Sequence, residues 1–206
     1  MTMFALGYSA KLYGLNLSDS DITNRYRSVE YCKQFIDFSA EMDTGIILGL
    51  IQGSPTQDKG PARSCFCASL DLLALYAQKK GVPLLVEATN NSLTSIANTA
   101  EGTQSLIAPY SDSAHTIGML LDTYHMAIEE SDMIQVLSQH ITDCISIHYS
   151  DNNRLFPGLG DLDFAEITAC LKHARYQGLV VLEANIHTSL EKDLRTSLGY
   201  LSQIMV

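Results

Sequence analysis

The strongest constraint on this chain is a regular alternation. Six short apolar runs, TMFALG (2–7), GIILGLIQG (45–53), VPLLVEA (82–88), TIGMLLD (116–122), DCISIHY (143–149) and GLVVLEA (178–184), are separated by longer stretches with helical spacing. The runs are apolar almost throughout instead of alternating with polar residues, as expected of strands covered on both faces. Helices are predicted near 21–42, 63–80, 92–107, 127–139, 163–176 and 188–203. In the first of these Ile22, Tyr26, Val29, Cys32, Phe35 and Ile36 recur at the helical period. Ser18, Ser20 and Asp21 offer caps to it, Asp163 offers one to the helix near 163–176, and Gly81 provides a stop to the helix near 63–80. Strict βα alternation implies an α/β fold with a parallel sheet and right-handed crossovers. A doubly wound sheet and a TIM barrel both satisfy the pattern. No G-x-G-x-x-G follows the first strand and no G-x-x-x-x-G-K-[ST] occurs, which speaks against nucleotide binding.

The 206 residues show no linker-like break in composition, so a single domain over 1–206 is expected. The net charge of −10 argues against a sequence-independent grip on nucleic acid, which needs clustered cations, and against an anionic membrane surface. No apolar run approaches the ~20 residues that span a bilayer, and the first residues do not read as a secretory signal. The five cysteines are odd in number and include no C-x-x-C, so a reducing cytoplasm and free thiols are expected. Cys65 and Cys67 stand two apart in a helical pattern and point to different faces, which argues against a metal role.

Four successive strands end in an ionisable residue: Glu87, Asp122, His148 and Glu183. One acid at a strand end is ordinarily a cap or a solvated loop residue. Four in a row are harder to account for so, because an ionisable group at the end of a core strand is partly buried and needs a partner. A shared cation would serve all four, since the C-terminal strand ends of a βα barrel converge on one mouth. Three carboxylates and one imidazole suit Mn²⁺, Mg²⁺ or Co²⁺ better than a thiolate-type zinc site, with Zn²⁺ still open.

The segments LLVEATNN, LLDTYHMAIEE, SIHYSDNNRLFPGLGDLDF and GLVVLEA resemble the sugar isomerase/epimerase superfamily with the xylose-isomerase-like TIM barrel, and most of all its ketose 3-epimerases of the tagatose and psicose type. The resemblance implies that Glu87, Asp122, His148 and Glu183 are divalent-metal ligands. It implies that Glu87 and Glu183 are also the acid/base pair, and that His125, Arg154 and Asn90 bind substrate. The implied reaction moves a carbon-bound proton of a sugar or sugar phosphate through a metal-stabilised enediolate, with Mn²⁺ the expected cofactor and a homo-oligomer the expected assembly. An aldose–ketose isomerase of the hydroxypyruvate type, an inosose-processing relative and a catalytically inactive metal- or sugar-binding fragment are the alternatives. A nuclease on the same barrel fits neither the charge nor the absence of further clustered histidines.

Two departures from that pattern stand out. The position six residues after Glu87, an acid in the ketose 3-epimerases, is Leu93. A TIM barrel has eight βα units, whereas six are predicted here, with the first strand resembling the third of the superfamily. The expected fold is therefore an incomplete barrel, N-terminally short, whose first and last strands are open edges. Among the remaining polar residues, His115, His140 and His173 are expected at surface or capping positions. His187 could face the mouth. Lys59 and Arg63 read as a solvated loop before they read as a phosphate site, and Tyr8 and Tyr13 as packing or as the wall of a sugar site.

Overall fold

The computed structural model describes residues 2–110 and 117–205, so His115 and the first residue of the expected fourth strand lie outside the described residues. Two compact units emerge, Met1–Leu120 and Leu121–Val206.

In the first unit β1 (Thr2–Ala5), β2 (Thr44–Leu48) and β3 (Leu84–Ala88) are parallel neighbours in that order. Every residue of β2 and β3 is buried, as continuous apolar runs require. Helices α1 (Gly7–Tyr13), α2 (Ile22–Met42), α3 (Lys59–Lys80) and α4 (Ala100–Ile107) join or follow them. Of the three candidate caps it is Asp21 that accepts from the Thr23 amide, at 2.9 Å, and α3 ends at Gly81 with φ 69°. Helix α2 packs on α3 and β2, burying Val29, Cys32 and Ile36 in a core with Phe66, Leu70 and Leu73.

In this unit the elements differ from the sequence expectation in several places. GIILGLIQG is not one strand: β2 ends at Leu48, and Leu50–Gln52 form a short 3₁₀ turn that begins after Gly49. The helix expected from 92 begins only at Ala100, because Asn90 and Thr94 tie the preceding segment into turns and Thr99 supplies the cap. Tyr8 and Tyr13 are exposed on α1, a helix the sequence pattern did not disclose.

The strand β4 (Ile117–Asp122) is fully buried and carries the boundary between the units near its end. In the second unit β5 (Cys144–Tyr149) and β6 (Leu179–Leu182) pair in parallel, with Ile147 opposite Val180 and His148 opposite Val181. The helical pattern near 127–139 divides into α5 (Thr123–Glu129), capped by Asp122, and α6 (Met133–His140), capped by Asp132. Asp163 caps α7 (Phe164–His173) as expected, and α8 (Leu190–Ile204) follows Ser189. Tyr149, Phe156, Phe164, Ile167 and Leu171 form the core here. Strand β6 is the exception: Val180 and Val181 are 41% and 38% exposed.

Candidate functional site

The second unit gathers its polar side chains at the C-terminal ends of its strands. Asp122 closes β4, His148 is the penultimate residue of β5, and Glu183 is the first residue past β6, which stops one residue short of the expected boundary. Each offers a ligand-type atom within 4.8 Å of the others. His148 Nδ1 donates to Glu183 Oε2 at 2.6 Å and lies 3.8 Å from Asp122 Oδ2. Asp122 has no exposed surface, and it also caps α5 by accepting from the amides of Tyr124 and His125. The sequence forces this double duty on it, because the strand runs directly into the helix without a loop.

Arg154 neutralises part of this charge. Its Nη1 donates to Asp122 Oδ2 at 2.5 Å and to Ser150 Oγ at 2.9 Å, and its Nη2 donates to Glu183 Oε2 at 2.9 Å. The guanidinium lies 5.1 Å from the centre of the Tyr124 ring. Burial works against the charge of Glu183, yet the hydrogen bond and charge of His148 and the Arg154 guanidinium hold its carboxyl down to about 2. Glu183 is therefore ionised at neutral pH. Burial lowers His125 from its ordinary value despite nearby Asp122, so its imidazole is neutral at pH 7. Its ring lies 5.2 Å from that of Tyr124.

In the first unit Glu87 sits within β3, buried, with 8% of its surface exposed. Gln52 Nε2 donates to the Glu87 carbonyl and to the Leu48 carbonyl, both at 2.7 Å. Gly49 leaves room for the Glu87 carboxylate: a Cβ there would stand 2.3 Å from Oε2. Asn90 is buried, and its Oδ1 accepts from the amide and the hydroxyl of Ser92. Leu93 is 37% exposed.

Of the predicted site residues, the second unit thus brings together Asp122, His148, Glu183, Arg154 and His125. Other residues take the plainer roles. His187 is exposed, with its amide bonded to Asp193. Lys59 and Arg63, expected in a solvated loop, stand instead in the first turns of α3, which Asp58 caps, and Arg63 donates to Ser105 Oγ at 2.7 Å. Burial pushes the thiols of Cys32 and Cys144 up to about 12, which removes them as thiolate ligands at neutral pH. The sequence reading missed Ser150, whose hydroxyl donates to Asp122 Oδ1 at 3.2 Å, and Asp151, a buried carboxylate. The only signal for either was their place directly after the strand that carries His148.

The profile of the xylose isomerase-like TIM barrel family matches residues 2–204, across both units. A ketose 3-epimerase of Arthrobacter globiformis is 28% identical over 195 residues, 90% of this chain and 67% of that protein. A D-psicose 3-epimerase of Enterocloster bolteae is 29% identical over 174 residues, 82% of this chain and 57% of that protein, so this chain spans little more than half of its length. Among solved structures, an L-ribulose 3-epimerase superposes with a TM-score of 0.83 at 21% identity, over 98% of this chain and 83% of that one. A 3-keto-D-glucoside 4-epimerase from E. coli gives 0.81 at 23% identity, over 96% and 83%. At these identities the structural likeness speaks for the fold, a TIM-barrel type of which the described residues present six βα units.

Proposed function

The chain belongs to the xylose isomerase-like TIM barrel family, and from that premise we propose that it is a divalent-metal-dependent isomerase or epimerase of a sugar or sugar phosphate. One observation carries the reading: two carboxylates and an imidazole, Asp122, Glu183 and His148, share a single small cluster with one arginine as counter-charge. Their donor set, oxygen-rich with one nitrogen, fits a hard divalent cation, and we take Mn²⁺ as the one it holds. Glu87 enters from the sequence as the fourth ligand, and with it residues 1–206 act as one domain. Asp122, His148 and Glu183, with Glu87, would hold the cation, which would supply Lewis acidity to a substrate carbonyl and so acidify the proton on the adjacent carbon.

The chain's own groups do the rest. Glu183, ionised at neutral pH, takes the proton from one face of the carbon. Glu87 returns a proton on the other face, which inverts the centre. Arg154 and the neutral His125 hold substrate oxygens, and Asn90 completes that set. The substrate class and the assembly follow the same resemblance, a small-molecule ketose and a homo-oligomer, while the odd, unpaired cysteines set the chain in a reducing cytoplasm. All five cysteines are free, and no helix of the described residues is long and apolar enough to cross a membrane.

The test is deuterium wash-in. The purified chain is incubated with Mn²⁺ in D₂O with fructose, tagatose, xylulose, ribulose and their phosphates, and carbon-bound deuterium is read by NMR. Metal-dependent label at C3 supports a 3-epimerase, and label at C1 an aldose–ketose isomerase. No label in any tube, beside an active full-length relative, overturns the reading in favour of a binding fragment.

A further inference from the structure

The loop after β5 is wound around one carboxylate. Asp151 is fully buried, and its two oxygens accept four backbone amides: Oδ1 from Asn152 at 2.9 Å and Leu162 at 3.0 Å, Oδ2 from Gly158 at 3.1 Å and Gly160 at 2.9 Å. Its main chain adds two more bonds. The Asp151 carbonyl accepts the Arg154 amide at 2.8 Å, and the Asp151 amide donates to the Leu155 carbonyl at 2.9 Å. Arg154 sits inside this winding with φ 62°, a left-handed conformation that costs a side-chain-bearing residue energy and persists only where its surroundings impose it. Its carbonyl in turn accepts the Asn185 amide at 2.7 Å, which ties the loop to the segment just after Glu183.

We propose that Asp151 is the positioning residue for Arg154: the buried carboxylate fixes the loop so that the guanidinium reaches Asp122 and Glu183 together. Its consequence for turnover rests on the function proposed above, but the positioning itself does not. Glycine at 160 is part of the device, because a Cβ there would stand 2.4 Å from Asp151 Oδ1. Asparagine cannot substitute for Asp151. Whichever way its amide is turned, the NH₂ faces two backbone donors, so at least two buried N–H groups lose their acceptor.

The experiment compares D151N and G160A with wild type in two arms. In the first, phenylglyoxal labels arginine side chains and mass spectrometry reads each site. The expected result is that Arg154 reacts at least about tenfold faster in both variants while Arg25 and Arg27 keep their wild-type rates, since a local loop opening leaves distant residues protected. Arg154 reactivity within twofold of wild type in either folded variant overturns the proposal, as does a parallel rise at Arg25, which marks general loosening. In the second arm kcat/KM is measured for D151N, R154A and the double variant. Each single variant is expected to lose about a hundredfold, and the double variant no more than about threefold further, because a residue that acts through another adds little once that other is gone. Fully additive losses overturn it. If wild type turns over no ketose, the functional reading fails, and the first arm alone decides whether Asp151 positions Arg154.

Discussion

Arg154 donates from Nη2 to Glu183 Oε2 at 2.9 Å, and the same guanidinium reaches the fully buried Asp122 through Nη1. One planar group thereby links the carboxylate at the end of β4 to the one just past β6. A lysine places a single point charge there and cannot span both. R154K is expected to lose about a hundredfold in kcat/KM, roughly 2.7 kcal/mol of transition-state stabilisation, with a circular dichroism spectrum like that of wild type. Steady-state kinetics on the ketose that takes up deuterium checks it, and a variant within threefold of wild type removes Arg154 from the site.

Glu183 carries the proton in this reading, so a neutral isostere separates chemistry from fold. E183Q retains the size of the side chain but has no basic oxygen. General-base catalysis typically supplies about 10²–10⁴-fold, and the rate of carbon-bound deuterium uptake is expected to fall by that factor. Wild-type exchange in E183Q would assign the base to another residue.

The cation should be visible in stability before it is visible in turnover. A ligand that binds only the folded state at a hundred times its Kd adds about 2.7 kcal/mol. For a chain of this length that raises Tm by roughly 5–10 °C. Differential scanning fluorimetry with and without Mn²⁺ measures it, and EDTA should reverse it. D122N removes a ligand-type oxygen and should abolish most of the shift; an undiminished shift in D122N places the cation elsewhere.

The fold was legible because six apolar runs of near-constant length leave few architectures open, and because Asp122, His148 and Glu183 sit where those runs stop. What stayed hidden has a common physical cause. Gly49 ends β2 inside an unbroken apolar string, and the backbone change there has no signature in hydropathy. The helical period across 123–140 is continuous in sequence, while Asp122 and Asp132 each start a separate helix by capping backbone amides. Asp151 lies in a run of polar loop residues that composition marks as solvated, yet it is fully buried, because its partners are main-chain amides that side-chain patterns do not encode.

Gly49 supplies a prediction in which stability and function part company. A Cβ there would stand 2.3 Å from Glu87 Oε2. That oxygen is the end of a flexible side chain, so it can move aside at small cost. The Glu87 main chain stays fixed by Gln52 at 2.7 Å. G49A is therefore expected to change unfolding free energy by less than about 1.5 kcal/mol. If Glu87 returns the proton as proposed, the displaced carboxylate should still lower kcat by about tenfold to a hundredfold, since misplacement of a reacting group by an ångström has that order of effect. Urea denaturation and kinetics on one preparation separate the two, and unchanged kcat would leave Glu87 without a positional role.

Asp193 supplies a pH dependence that does not involve the candidate metal ligands. Its Oδ2 accepts the amides of His187 at 2.7 Å and Thr188 at 2.9 Å, and its Oδ1 accepts the Thr188 hydroxyl at 2.6 Å. The Thr188 hydroxyl bond, helped by the two amides, lowers the carboxyl below its ordinary value against the opposing effect of burial. The folded state therefore binds this proton more weakly than the unfolded state does. A lowered carboxyl stabilises the fold above its unfolded-state value of ~3.9, and the benefit is lost as the pH falls through the lower folded value. D193N has no such charge to lose. Wild type should therefore melt above D193N at pH 7, and the gap should stay constant down to about pH 5 and then narrow as the pH falls towards 3. Tm measured for both proteins across that range checks the sign. A gap that widens on acidification would mean that the carboxyl is raised in the folded state, and that the three bonds do not hold it in its charged form.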